Sequence, residues 1–210
     1  MRRILLVDDH SVVRRGLREI IEDEIGDVVF GEAECAQKAI RQVWDKDWDV
    51  VVLDIAMPDR SGLAVLGDIL DIKPHLPVLI LSMHSEDQYG MRMLRAGASG
   101  YLTKESAPEE LGKAIRRLLA GGRYISAELA EGLLANLDGK EAGNPYADLS
   151  DREYEVMYWL ASGKTVSEIA AQLNLSVKTV STYRRRVLTK LNIKSNAELM
   201  NRAIRDGVID

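Results

Sequence analysis

The sequence has one cysteine, Cys35, and therefore cannot form an internal disulfide. This excludes the small disulfide-rich secreted folds and is typical of proteins kept in a reducing compartment. Long apolar runs are missing as well. The segment Met1-Arg2-Arg3 leads directly into a run of only a few apolar residues, which is too short for a signal peptide or a membrane span. We therefore expect a cytoplasmic protein without a membrane partner.

Basic residues are scarce in the first part of the chain. Residues 1–145 carry 18 Lys and Arg against 25 Asp and Glu, whereas residues 146–210 carry 10 against 8. The whole chain, with 210 residues and a net charge of −5, is long enough for two small domains. The asymmetry predicts an acidic half followed by a half that can approach a polyanion.

Three acidic residues follow two of the predicted strands. Val50–Leu53 is typical of a strand buried on both faces of a parallel sheet, and it ends at Asp54. A second short apolar run, Ile4–Val7, ends at Asp8 and Asp9. In open α/β sheets ligands bind outside the carboxyl ends of the strands, so we expect chemistry at this edge.

An acid after a strand often only caps the next helix, but three carboxylates at one edge repel one another unless a divalent cation neutralises them. A site made only of carboxylate oxygens suits Mg²⁺. Mg²⁺ beside a nucleophilic carboxylate is the arrangement that forms an aspartyl phosphate. By contrast, His10, His75 and His84 have no metal-site spacing, and we assign none of them to the site.

Strand and helix patterns alternate over residues 3–121. Short apolar runs predict strands at residues 4–8, 28–32, 50–54, 78–82 and 99–102, and helical periodicity fills the gaps. Five strands alternating with five helices predict a doubly wound parallel sheet of the α/β class.

Nine residues agree in order and spacing with a known site: Asp8, Asp9, Asp54, Met57, Pro58, Gly62, Ser82, Tyr101 and Lys104. With them, roughly the first 120 residues resemble the receiver domain of bacterial response regulators. The resemblance implies a flavodoxin-like (βα)5 fold with strand order 2-1-3-4-5. It also implies that a sensor histidine kinase phosphorylates Asp54, and that Asp8, Asp9, Asp54 and the backbone carbonyl of Ala56 hold Mg²⁺.

The resemblance gives three further residues a role. Ser82 closes a predicted strand, where a hydroxyl usually caps or turns the chain, but in receivers the matching hydroxyl binds the phosphoryl oxygen. Lys104, a lone cation beside three carboxylates, is better explained as their charge partner and a phosphoryl ligand than as a solvated loop lysine. Tyr101 on its own is typical of core packing; it resembles the switch aromatic of receivers.

A change of composition separates two domains. Gly121 and Gly122 end the last helix of the first, residues 126–137 show a short amphipathic pattern, and residues 138–145 are polar and typical of a linker. We predict a first domain at residues 1–121, a linker with a short helix at 122–148, and an all-α domain at 149–210.

Three helices are predicted in the last domain. Ser150 with Glu153 forms a capping box before a helix whose apolar side chains share one face. These side chains are Val156, Met157, Leu160 and Ala161. A short helix at about 166–173 precedes a longer one that ends at about Leu191. A short helix, a tight turn and a longer helix predict a helix-turn-helix.

The longer helix carries charge of one sign. From Lys178 to Lys194 there are six basic residues and no acid. Val180, Val187 and Leu191 form its core face. The opposite face consists of Lys178, Ser181, Thr182, Arg185 and Thr189. Solvated faces usually mix both signs, so this helix indicates DNA binding.

Residues of a known motif are distributed over residues 149–210. They are Leu149 to Glu153, Gly163, Glu168-Ile169-Ala170, Leu175-Ser176, Thr179-Val180 and Lys190-Leu191. They resemble the LuxR-type helix-turn-helix, and the whole chain resembles the NarL/FixJ class of response regulators. Tyr183 and Asn196 depart from the commoner His and Arg, and Tyr183 with Arg184 and Arg186 is more similar to the GacA/UvrY branch. By position, Ser181, Thr182 and Arg185 match the residues that contact DNA bases in the LuxR-type family. Lys178, Thr179, Arg186 and Lys190 are placed for phosphates.

We therefore predict a response regulator in which phosphorylation of Asp54 controls homodimerisation and sequence-specific DNA binding, and not a turnover enzyme. RNA polymerase is a further candidate partner. An alternative is a Mg²⁺-dependent phosphatase with an Asp nucleophile, but such enzymes need an acid two residues later, where this chain has Ala56. A receiver that binds only proteins is a third alternative, against which the basic helix argues.

Overall fold

Two units make up the structure, Met1–Ala135 and Asn136–Asp210. A computed structural model describes residues 1–55, 57, 60, 62–83, 89–127, 129, 130, 145, 146, 148–173, 175–206, 208 and 209. The division between the units falls within the stretch 122–148 that was predicted to be a linker. In the described part of the chain, no helix is both long enough and apolar enough to cross a lipid bilayer.

The first unit is built on a five-stranded parallel sheet. Its elements in chain order are β1 (Arg2–Val7), α1 (Ser11–Ile25), β2 (Val28–Ala33), α2 (Ala36–Asp45), β3 (Val50–Asp54), α3 (Gly62–Ile72), β4 (Val78–Ser82), α4 (Met91–Arg95), β5 (Gly100–Thr103) and α5 (Ala107–Leu119). The strand order is β2-β1-β3-β4-β5, and all four pairings are parallel. The doubly wound fold and its predicted order are confirmed.

Side chains alternate between the two faces of the sheet along each strand, and helices cover both faces. One core cluster contains Ile4, Leu6, Val50 and Val52 and packs against α1 and α5. The other contains Leu5, Val7, Val51 and Leu53 and packs against α2, α3 and α4. The continuous apolar runs in the sequence therefore fill two cores, one on each side of the sheet.

The described residues of the second unit form four helices. They are α6 (Asp151–Ala161), α7 (Val166–Gln172), α8 (Val177–Lys190) and α9 (Asn196–Arg205). Each begins after a hydroxyl residue whose side chain accepts a hydrogen bond from an amide three residues later; these caps are Ser150, Thr165, Ser176 and Ser195. The predicted capping box at Ser150 is confirmed, and Thr165 with Glu168 makes a second.

The core of the second unit follows the predicted helix faces. Val156, Met157, Leu160 and Ala161 of α6 are buried. Val180 and Val187 of α8 are also buried, and so is Leu191 just beyond its end. The opposite face of α8, with Lys178, Ser181 and Arg185, is exposed. The face of α8 that carries the basic side chains is therefore the one that faces solvent.

The short helix predicted at residues 126–137 begins where expected. Ser126 Oγ accepts a hydrogen bond from the Leu129 amide at 3.1 Å, and the Ala130 amide donates to the Ser126 carbonyl at 3.0 Å. Residues 131–144, over which the prediction extends this helix and then places most of the linker, lie outside the described residues.

A close backbone contact at Gly62 yields the first prediction. A Cβ on Gly62 would overlap with Ile55 Cα, so Gly62→Ala must push two backbone segments apart. We expect it to lower the free energy of unfolding of the first unit by about 1–3 kcal/mol, as overpacking does. Gly67 lies in the same helix with nothing within 4 Å of its Cβ position, and Gly67→Ala should stabilise by about 0.5–1 kcal/mol. Urea unfolding of both variants measures the difference, and equal effects would contradict the close contact.

Candidate functional site

Lys104 holds two of the predicted site carboxylates together. Its Nζ donates to Asp8 Oδ2 at 2.8 Å and to Asp54 Oδ2 at 2.7 Å. Asp8 and Asp54 are buried, with exposed fractions of 0% and 1%. Burial lowers the pKa of the Lys104 ammonium, but the hydrogen bonds that it donates to Asp54 and Asp8 outweigh this and raise the pKa above its ordinary value. Lys104 is therefore a fixed cation between two fixed anions.

The strand pattern explains why these three side chains meet. Asp8 and Asp54 continue the alternation of Leu6 and Val52, so both leave the sheet on the side of α1 and α5. Lys104 follows Leu102 in the same way on β5. Hydrogen bonds between Thr103 and Ser106, including Ser106 N to Thr103 Oγ1 at 3.1 Å, tighten the turn that carries Lys104.

Asp9 and His10 complete an acidic cluster beside Asp54. One potential ligand atom from each of Asp8, Asp9, His10 and Asp54 lies within 4.8 Å of the others. The His10 Nδ1 atom is 2.8 Å from Asp9 Oδ1 and 3.3 Å from Asp8 Oδ1, contrary to the expectation that no histidine belongs to this site. The spacing of His10 in the sequence gave no signal for this position.

The cluster has the donor set that a divalent cation requires. Within the described residues Asp9 Oδ1 is buried and accepts no hydrogen bond, although His10 Nδ1 lies 2.8 Å away. A buried carboxylate oxygen without a donor is costly unless a cation binds it. Three carboxylates face one lysine here, so an oxygen-ligated dication fits the residues present.

Arg14 is a second residue at this edge that the sequence did not reveal. Its Nη1 donates to the Asp8 backbone carbonyl at 2.7 Å, and its Nε pairs with Glu32 at 2.9 Å. The Asp8 amide donates to the Ala33 carbonyl at 3.1 Å and so extends the β1–β2 ladder. These contacts fix the backbone at the acidic cluster.

The other predicted site residues lie at the same edge. Ser82 is buried at the end of β4, where its carbonyl accepts from the Lys104 amide at 2.7 Å. Asp54 is opposite Leu81 in the β3–β4 register, so Ser82 is one residue further along. Tyr101 is fully buried within the core on the α4 side. The carbonyl of Ala56, predicted as a metal ligand, lies outside the described residues.

The predicted DNA-contact residues lie on α8. The side chains of Lys178, Ser181, Arg185 and Arg186 are exposed, and Thr179 and Thr182 are partly exposed. The Thr182 hydroxyl donates to the Lys178 carbonyl at 2.9 Å, so its oxygen remains available only as an acceptor. Thr179 is part of the helix cap, with its hydroxyl 2.7 Å from Ser176 Oγ.

Lys190, another predicted phosphate contact, is engaged with residues outside its own helix. Its Nζ donates to Glu153 Oε2 at 2.6 Å and to the Asp148 carbonyl at 2.8 Å. Burial raises the pKa of the Glu153 carboxyl, but hydrogen bonds from Lys190 and Ser150 outweigh this and hold it below its ordinary value. Lys190 thus ties α8 to α6, a tertiary role for which the sequence gave no sign.

Two family models match this chain. Residues 4–116 match the response regulator receiver domain, and residues 147–203 match the bacterial regulatory proteins of the luxR family. The chain therefore belongs to those response regulators that join a phosphorylatable receiver domain to a LuxR-type DNA-binding domain and regulate transcription.

Similar proteins place it more narrowly. The chain is 40% identical over 209 residues to the response regulator UvrY of Escherichia coli K12, covering 99% of this chain and 96% of that one. It is 37% identical over 211 residues to GacA of Pseudomonas aeruginosa, covering 100% and 99%. The RcsB structure from Salmonella enterica serovar Typhimurium, bound to promoter rprA in the presence of phosphomimetic BeF3⁻, has a TM-score of 0.70 at 27% identity and covers 95% of this chain and 96% of that one. The predicted GacA/UvrY branch is thereby confirmed.

The Lys190–Glu153 pair leads to a prediction about acid stability. Lys190→Met keeps the apolar stem but leaves a buried carboxylate without its cation, so we expect a loss of about 1 kcal/mol in unfolding free energy at neutral pH. Since the pKa of folded Glu153 is lowered, the pair contributes fully above its ordinary value of 4.5, and this contribution is lost as the pH falls through the lowered value.

Hydrogen exchange of the α6 amides in the full-length protein, followed from neutral to acidic pH, measures this difference. Lys178→Met removes an exposed lysine from the other end of α8 and should leave exchange unchanged. A loss in Lys190→Met that persists undiminished in acid would show that the pair is not its cause.

Proposed function

We propose that this response regulator accepts a phosphoryl group on Asp54 from a sensor histidine kinase and thereby gains affinity for DNA. The acidic cluster supports this most directly. Asp54 is buried there, and the Lys104 Nζ atom 2.7 Å away can balance the charge of a phosphoryl group added to this carboxylate. In the transfer, a new bond forms between an Asp54 oxygen and phosphorus while the bond from phosphorus to the kinase histidine breaks. The protein itself turns over no substrate.

Each neighbouring side chain has a proposed role in that step. Asp8, Asp9, Asp54 and the Ala56 carbonyl would hold Mg²⁺, which when bound neutralises charge on the transferring group. Lys104 balances the negative charge that phosphorylation adds, and Ser82 donates its hydroxyl to a phosphoryl oxygen. The proposed domain bounds remain residues 1–121, 122–148 and 149–210.

The second unit reads DNA through α8. Ser181, Thr182 and Arg185 are proposed to contact base edges, while Lys178, Thr179 and Arg186 contact phosphates. Thr182 can only accept a hydrogen bond, which suits the exocyclic amine of adenine or cytosine. One helix reads few bases, so we propose that phosphorylation promotes a homodimer that binds paired half-sites. Such a regulator acts where the bacterial chromosome is, in the cytoplasm, and RNA polymerase is a candidate partner there.

The first test removes the nucleophile. Asp54→Asn is nearly isosteric, so the protein should stay folded but take up no phosphoryl group from acetyl phosphate with Mg²⁺, as intact-mass spectrometry would show. Asp71→Asn, which neutralises an exposed acid at the end of α3, should be phosphorylated normally. Stoichiometric phosphorylation of Asp54→Asn would rule out this acceptor.

The second test separates base reading from phosphate binding. Arg185→Ala should weaken binding to a preferred duplex by about 1–3 kcal/mol and relax selectivity at one base position. Arg186→Ala should weaken preferred and unrelated duplexes equally and flatten the salt dependence. Genomic fragment selection finds the preferred sequence, and titrations at several salt concentrations compare the variants. Identical behaviour of both would refute the division of roles.

The third test concerns the route from Asp54 to the dimer. We propose that Ser82 and Tyr101 transmit the charge change to the receiver surface near β5 and α5. Because Tyr101 is fully buried, Tyr101→Ala would open a cavity costing about 3–5 kcal/mol, whereas Tyr101→Leu retains apolar volume. Tyr101→Leu should accept phosphate but dimerise less in response, as sedimentation with and without phosphodonor would measure. A wild-type response would exclude Tyr101 as the relay.

A further inference from the structure

A basic concavity lies along one flank of α8 and into the turn that follows it. Its volume is about 530 Å³. It is lined by three cations, Arg184, Arg185 and Lys194, together with polar and apolar side chains from the same stretch, and no carboxylate is among its lining residues. Arg184 and Lys194 belong to neither the base-reading nor the phosphate-binding set described above.

The two flanks of α8 are chemically different. Arg184 comes four residues after the buried Val180 and lies on the side of α9, where its Nε donates to Asn196 Oδ1 at 2.8 Å. Lys190 lies on the side of α6, where it pairs with Glu153. The proposed phosphate contacts Thr179 and Arg186 share the Lys190 flank. On that flank Lys190, the last cation of the helix, is already paired with Glu153. None of the proposed phosphate contacts lies on the α9 flank.

The end of α8 brings Lys194 to the concavity. Asn192 adopts a left-handed conformation with φ of 54°. The Ile193 amide donates to the Leu188 carbonyl at 2.8 Å, and the Asn192 amide donates to the Thr189 carbonyl at 3.1 Å. These two hydrogen bonds form a Schellman motif, which reverses the chain immediately after the helix. Lys194 is exposed and lines the same concavity as Arg184 because of this turn.

Asn196 orients Arg184. The side-chain oxygen of Asn196 binds the Nε of the guanidinium, and this leaves the two terminal nitrogens to bind an anion in a forked arrangement. Asn196 is the first residue of α9, after the Ser195 cap, so its position is set by the helix start. This contact holds the long arginine side chain in place before any ligand binds.

A helix in the major groove has a phosphate backbone on each side, since the groove is about 12 Å wide and a helix with its side chains about 10–12 Å across. We propose that Arg184 and Lys194 bind the phosphodiester backbone on the α9 side of α8, with Asn196 as a positioning residue for Arg184. This inference rests on the proposed DNA-binding function of α8. The concavity would then bind the phosphates of one DNA strand, and Arg186 would contact the phosphates of the other strand.

The test uses the full-length protein with phosphodonor, a preferred duplex and an unrelated duplex, at several salt concentrations. Arg184→Gln keeps a donor toward Asn196 but removes the charge, and Lys194→Ala removes the second cation. Each should weaken both duplexes by about five- to ten-fold and reduce the slope of log K against log salt by about 0.9, with base preference unchanged. The double variant should reduce the slope by about 1.8.

Asn196→Ala separates orientation from charge. It should weaken both duplexes about two- to three-fold while leaving the salt slope near the wild-type value, because the number of cations is the same. Arg205→Ala is the matched control, since it removes an exposed cation from the far end of α9, roughly 13–14 Å along the helix axis from Asn196. It should bind as the wild type does, and circular dichroism confirms that each variant is folded.

The outcomes distinguish this inference from the function on which it rests. If the wild type selects no sequence, the proposed DNA-binding function fails. If the wild type binds selectively and the Arg184→Gln and Lys194→Ala variants match Arg205→Ala, only the concavity assignment fails. A changed base preference in Arg184→Gln would make Arg184 a base reader and overturn the phosphate role. Inhibition of the wild type by free inorganic phosphate as strongly as by unrelated duplex would assign the concavity to small anions instead.

Discussion

Two carboxylates share one ammonium group at the carboxyl edge of the sheet, and the site depends on that arrangement. Asp8, Asp54 and Lys104 meet because each comes two residues after a strand residue on the same face of the sheet, so that their side chains leave the sheet on the same side. One lysine cannot neutralise three acids, so the edge retains excess negative charge. A phosphoryl group would add still more charge at this point. Lys104 contacts both Asp8 and Asp54, so the proposed phosphorylation of Asp54 would change the charge on one of the two partners of this lysine.

The second unit holds its basic helix with polar contacts on both flanks. Lys190 binds Glu153 of α6 on one side, and Arg184 binds Asn196 of α9 on the other. Between them the apolar face with Val180 and Val187 is buried in the core. The same run of cations consequently serves two purposes: some residues fix the helix within its unit, and the rest face solvent with one sign of charge.

The sequence was most informative where physical periodicity governs the structure. Apolar runs such as Val50–Leu53 predicted the sheet and its two cores, and Ser150 with Glu153 predicted a helix start to the residue. Contacts between distant residues were not predictable in this way. The pairing of Lys190 with Glu153 spans 37 positions and depends on how α6 packs against α8. His10 joins the acidic cluster through a local turn, for which no spacing rule exists.

Hydrogen bonds within the protein cap both ends of α8. Ser176 accepts from the Thr179 amide at 3.0 Å, and at the other end the Schellman turn at Asn192 satisfies the final carbonyls. Both ends are thus closed by groups of the protein itself, and α8 does not require a partner to become ordered. Association should then proceed without coupled folding, so the heat capacity change on binding would reflect the area of the contact surface alone.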